Sequence, residues 1–90
     1  MIKGKSVAVI GLGYVGLPLL RLLSVKKIKA YGFEINHKKI LSIKRNLSYI
    51  SDLKNKQLKI IEKKRLFSMN EINKIEESDY IVLCLPTPLN

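Results

Sequence analysis

The sequence predicts an α/β fold: a parallel sheet of about four strands in the order 3-2-1-4, with flanking helices. Three observations predict it. Short, continuously apolar runs stand at Ser6–Ile10 and Tyr80–Leu85, with a further short strand at Lys29–Glu34. The segments between them carry apolar residues at helical spacing. A glycine-rich hexapeptide, Gly11–Gly16, stands where the first run gives way to the first helical segment. Strands that alternate with helices pair in parallel, and right-handed crossovers set the strand order.

Each element follows from its residues. Ser6–Ile10 (SVAVI) is β-branched and apolar throughout, as a strand buried on both faces should be. Tyr14–Val25 places Val15, Leu19, Leu22 and Leu23 on one helical face. Pro18 falls in its early turns, where little intrahelical N–H bonding is lost. Lys29–Glu34 (KAYGFE) is the second strand. Asn36 is placed to cap the next helix, with Ile40, Leu41, Ile43 and Leu47 turned inward. After a polar-edged connection at Leu47–Ser51, Asp52 is expected to cap a helix through about Lys64, with Leu53, Leu58 and Ile61 inward. Leu66–Met69 reads as a third strand, Asn70 as the cap of a brief helix holding Ile72 and Ile75, and Tyr80–Leu85 as a fourth strand.

Composition narrows the function. The 90 residues are 47% hydrophobic and 27% charged, which suits one globular domain rather than a disordered chain. The net charge of +10 could indicate nucleic acid or an anionic membrane. However, 14 of the 17 cations are Lys and only three are Arg, with no aromatic residues interleaved. Readers of phosphates and bases favour Arg forks, so neither nucleic acid nor a membrane is expected as a partner. Lys3 and Lys5 before an apolar run to Leu20 resemble a signal peptide, but glycines interrupt the run and no clean cleavage site follows. The run is also short for a membrane span. The lone Cys84 forms no internal disulfide, which suits the cytoplasm.

The chemistry lies in the hexapeptide Gly11-Leu12-Gly13-Tyr14-Val15-Gly16, which matches G-x-G-x-x-G. Six residues are a weak signal alone, but this motif leaves a strand and opens a helix, as in a dinucleotide-binding Rossmann fold. Gly11 permits the tight turn, Gly13 lets a pyrophosphate approach the backbone, and Gly16 lets the helix pack on the sheet. The N–H groups at the helix start, aided by its dipole, then bind the pyrophosphate. Glu34 ends the second strand 18 residues after Gly16. An acidic residue near that offset accepts hydrogen bonds from a ribose 2′-OH and repels a 2′-phosphate, which favours NAD over NADP. The bland alternative for Glu34 is a solvent-exposed strand end. Lys39 reads as an exposed helix lysine, and His37 has no metal-binding or catalytic partner in sequence. Cys84 reads as a buried, inert thiol. Thr87 directly follows the fourth strand, which would aim its hydroxyl into the cofactor crevice. No metal site is expected.

These stretches resemble the UDP-glucose/GDP-mannose dehydrogenase family along the whole chain. VAVIGLGYVGLPLL at Val7–Leu20 is similar to the family's opening signature, and the Pro18-Leu19 after the third glycine is typical of its N-acetyl sugar branch. GFEIN at Gly32–Asn36 resembles G-F-D-I-N, with Glu34 in place of the usual Asp. SYISD at Ser48–Asp52 resembles a stretch of the UDP-N-acetylglucosamine 6-dehydrogenases, and SDYIVLCLPTPLN at Ser78–Asn90 the family's strand followed by V-P-T-P-L. The resemblance implies NAD contacts at Tyr14 and Val15 beside the glycines, the ribose at Glu34, the adenosine end at Lys39, and the cofactor again at Thr87.

It further implies an enzyme several times longer than this chain and homo-oligomeric. Such enzymes oxidise the C6 alcohol of a nucleotide sugar to a carboxylate, in two hydride transfers to two NAD⁺, through a thioester on a cysteine of a later domain. No catalytic residue is therefore expected within 1–90, which would hold an incomplete N-terminal NAD-binding domain without the catalytic and sugar-binding domains. The nucleotide sugar would be a partner of the full-length enzyme only. Three other readings stand beside this one: an unrelated Rossmann dehydrogenase, a small basic nucleic-acid-binding module, and a stub without function.

Overall fold

The computed structural model describes residues 4–85. Thr87 and the two prolines around it lie outside that range. Four parallel strands form one sheet in the order β3-β2-β1-β4, as expected: β1 is Ser6–Ile10, β2 Lys29–Glu34, β3 Leu66–Ser68 and β4 Tyr80–Leu83. β1 pairs with β2 in the register Ser6↔Lys29 to Ile10↔Phe33, and with β4 from Val7↔Tyr80 to Ile10↔Leu83.

Each face of β1 belongs to a different apolar cluster. Val7 and Val9 pack with Leu17, Leu20 and Leu23 of helix α1 (Gly16–Val25) and with Ile40 and Ile43 of helix α2 (His37–Lys44). Ala8 and Ile10 pack with Tyr31 and Phe33, under Phe67, Met69, Ile72 and Ile75. The last three of these belong to a 3-10 helix, η3 (Met69–Glu77), which crosses the opposite face of the sheet between β3 and β4. The period-two alternation of strand side chains thus divides SVAVI between two layers, which is why it contains no polar position past Ser6.

α1 begins two residues later than the spacing predicts, because Tyr14 and Val15 form the turn that leads into it. Asn36 caps α2 as expected, its side-chain oxygen accepting from the Lys38 N–H at 2.9 Å. Leu41 and Leu47, expected inward, are exposed: the helix ends at Lys44, and Asn46 turns the chain in the left-handed region at φ 58°.

The helix expected over Asp52–Lys64 is instead two 3-10 helices, η1 (Asn55–Ile60) and η2 (Lys63–Arg65). Asp52 caps neither. Gln57 Oε1 accepts from the Lys54 N–H at 2.7 Å to start η1. The Lys63 ammonium stops it by donating to the Leu58 and Ile61 carbonyls at 2.6 and 3.0 Å. A cation on the last carbonyls of a helix stabilises its C-terminal end. Leu53, Leu58 and Ile61 are buried as expected. Among the described residues, no helix is long and apolar enough to cross a membrane.

Candidate dinucleotide site

The site forms at the carboxyl end of β1, where the chain must turn sharply from strand to helix. Gly11 makes the turn at φ +95°, and its N–H stays in the sheet by donating to the Phe33 carbonyl at 2.8 Å. A Cβ there would stand 2.7 Å from the Cys84 carbonyl oxygen, so conformation and space both require glycine. A Cβ on Gly16 would run into the Gly11 carbonyl and reach 3.2 Å from Cys84 Cβ. That glycine therefore lets α1 start directly against the turn. Around Gly13 there is nothing within 4 Å of a Cβ position, so the backbone is open to approach.

The start of α1 is electrostatically prepared for an anion. No side chain caps it and no acidic residue stands in its first turn. Tyr14 and Val15, the two residues between Gly13 and Gly16, are exposed. An uncapped N-terminus beside an open glycine backbone fits a pyrophosphate.

Glu34 is only 4% exposed, which excludes the solvent-facing strand end. Its Oε1 accepts from the Leu12 N–H at 2.8 Å and its Oε2 from the Asn36 N–H at 2.7 Å. The carboxylate thus ties the turn after β1 to the turn after β2. Each oxygen keeps a further lone pair as an acceptor. Beyond Glu34, Ile35 is 81% exposed, an apolar side chain available to a flat ring at the same edge of the site.

Lys39, half-buried in the first turn of α2, holds its ammonium 5.4 Å from the centre of the Tyr49 ring. The Tyr49 hydroxyl in turn donates to the Leu12 carbonyl. Tyr49 has no role legible in the sequence, since it lies in a connection without periodicity; its signals were being aromatic in a polar stretch and standing within the family-like SYISD. Burial, and then the nearby Glu34 charge, push the Tyr49 phenol above its ordinary value, so it remains a protonated donor.

The structure therefore brings Gly11, Gly13, Tyr14, Val15, Gly16, Glu34 and, through Tyr49, Lys39 to one edge of the sheet. Cys84 lies beneath the loop, just past the end of β4, its N–H donating to the Ile10 carbonyl at 2.7 Å. It is half-buried rather than buried, and desolvation raises its thiol above the ordinary range, opposite to what a nucleophile needs. His37 is exposed. Among the described residues, no group of three His, Cys, Asp or Glu side chains gathers to hold a metal ion.

A parallel sheet with a glycine turn, an open helix N-terminus and a buried acid closing the second strand defines a Rossmann-type dinucleotide-binding unit. Comparison with known proteins makes this specific. A sequence model of the UDP-glucose/GDP-mannose dehydrogenase family, NAD binding domain, matches residues 5–90. The chain belongs to this family, and the match lies in the family's NAD binding domain. It is 37% identical over 85 residues to a UDP-N-acetyl-D-glucosamine 6-dehydrogenase of Salmonella typhi, covering 94% of this chain and 19% of that protein. It is also 37% identical over 87 residues to a UDP-N-acetyl-D-mannosamine dehydrogenase of Methanocaldococcus jannaschii, covering 94% and 20%. Among solved structures, a GDP-mannose dehydrogenase from Pseudomonas aeruginosa superposes with a TM-score of 0.78 at 26% identity, over 93% of this chain and 20% of that one. The chain thus spans about one fifth of the length of the relatives it matches.

Proposed function

We propose that this chain binds NAD at the Gly11–Gly16 turn and serves an enzyme that oxidises the C6 alcohol of a UDP-N-acetylhexosamine. The observation that carries the binding mode is the open backbone at Gly13 beside the uncapped start of α1. The pyrophosphate lies on the backbone N–H groups from Gly13 to Gly16, and the adenosine ribose reaches Glu34, with Lys39 beside it. Thr87 is assigned to the same crevice. Bound NAD⁺ supplies a hydride acceptor. The sugar-binding and catalytic residues belong outside residues 1–90. The substrate class rests on the likeness to enzymes named for UDP-N-acetyl sugars. The cytoplasm is the compartment that the free thiol of Cys84 suits.

A second negative group beside the buried Glu34 carboxylate would be repelled, so NAD should bind tighter than NADP. Calorimetric titration of the 90-residue chain with both nucleotides tests this, and tighter NADP binding would overturn it. Gly13→Val should abolish NAD binding yet leave the melting temperature within a few degrees, since its side chain enters open space in the folded chain. Equal affinity in that variant would remove the turn from the phosphate site.

A further inference from the structure

We propose that Tyr49 is a positioning residue for the pyrophosphate turn, a role that rests on the NAD-binding reading above. Leu12 stands between Gly11 and Gly13, the most pliable stretch of the site, and both peptide groups beside it are held from outside the turn. Its N–H donates to Glu34 Oε1 at 2.8 Å, and its carbonyl accepts from the Tyr49 hydroxyl. Its side chain is fully buried in the core, so the residue is anchored at three points.

The geometry of the peptide group gives this clamp its consequence. In a trans peptide the N–H points opposite to the preceding C=O. Drawing the Leu12 carbonyl toward Tyr49 therefore turns the Gly13 N–H to the other side, in the stretch where Gly13 presents open backbone. Without the hydroxyl, the peptide plane between Leu12 and Gly13 loses the hold on its carbonyl, and the flexible Gly13 φ lets it wander, so that a bound phosphate must align it.

The segment that carries Tyr49 is itself anchored. The Ser48 N–H donates to Asn55 Oδ1 at 2.8 Å, the Ser48 hydroxyl donates to the Ile50 carbonyl at 2.8 Å, and Ile50 is buried in the core. The Lys39 ammonium rests over the Tyr49 ring at 5.4 Å and restrains it from the side of α2. The connection after α2 thus works as a strut from the core to the turn.

Tyr49→Phe tests the role in the 90-residue chain, because it removes the hydroxyl and keeps the ring and its packing. Two readings are taken: the Leu12 carbonyl ¹³C shift from an HNCO spectrum, and NAD and ADP affinity by calorimetry. The Leu12 carbonyl should move upfield as its hydrogen bond is lost. Affinity for both nucleotides should fall equally, by about fivefold to tenfold, the worth of one hydrogen bond. The melting temperature should stay within a few degrees. An unmoved carbonyl, or a moved carbonyl with affinity unchanged, would overturn the positioning role, as would collapse of the fold. Absence of NAD binding by the unmodified chain is a different result: it would overturn the NAD reading itself and this role with it.

Discussion

β1 and β4 are neighbours in one sheet and are equally apolar in sequence, yet they end in opposite environments. All five residues of β1 are buried, whereas all four of β4 are exposed. β1 has a strand on either side and a layer on each face. β4 has β1 on one side and, among the described residues, little over its faces, so Ile81 and Leu83 are more than half exposed. An apolar run thus encodes a strand, while the layers around it decide whether that strand is core or edge. Open apolar edges invite pairing with other chains.

The largest effect expected from this contrast is the response to a charge. Val9→Asp in β1 puts a carboxylate at a fully buried position with no partner, and should cost about 4 kcal/mol or more, enough to unfold a domain this small. Val82→Asp in β4, at 36% exposure, should cost under about 1 kcal/mol and raise solubility. Urea denaturation followed by circular dichroism measures both, and equal losses would show that β4 is covered in solution.

A smaller but still large effect is expected where the turn after β1 meets the segment after β4. Gly16→Ala drives a methyl group into the Gly11 carbonyl and toward Cys84, and should cost about 2–3 kcal/mol by the same assay. A neutral Gly16→Ala would mean that the two segments separate readily.

The smallest effect concerns the start of the β1–β4 pair. Asp79 Oδ2 accepts from the Ser6 N–H at 2.8 Å and from the Ser6 hydroxyl at 3.2 Å. These bonds, the backbone one foremost, hold its carboxyl below the ordinary range. A group lowered on folding stabilises above its unfolded value and loses that contribution as the pH falls through its folded value. Lowering the pH from about 7 to about 2 should therefore reduce the melting temperature slightly less in Asp79→Asn than in the unmodified chain. Identical pH profiles would show that Asp79 does not tie β4 to β1 in solution.

What the sequence determined by itself was the local chemistry and the order of elements. The Gly11, Gly13 and Gly16 spacing, the apolar strands and the Asn36 cap act over a few residues, and handed crossovers turn them into the order 3-2-1-4. Tertiary structure alone decided what depends on distant partners. Leu41 and Leu47 share a helical spacing in the sequence, yet α2 ends at Lys44, before Leu47, and both side chains are exposed. Asp52–Lys64 kept its inward Leu53, Leu58 and Ile61, buried against the other elements of the core, but runs as two 3-10 helices with Ile61 extended between them. Glu34 was legible as the acid that ends β2. That both its oxygens hold backbone N–H groups, and that Tyr49 holds the other side of Leu12, was not legible, since a hydrogen bond across 37 residues leaves no periodic trace in the chain. Periodicity records which way a residue faces along its own element. Only the packed fold determines what stands opposite.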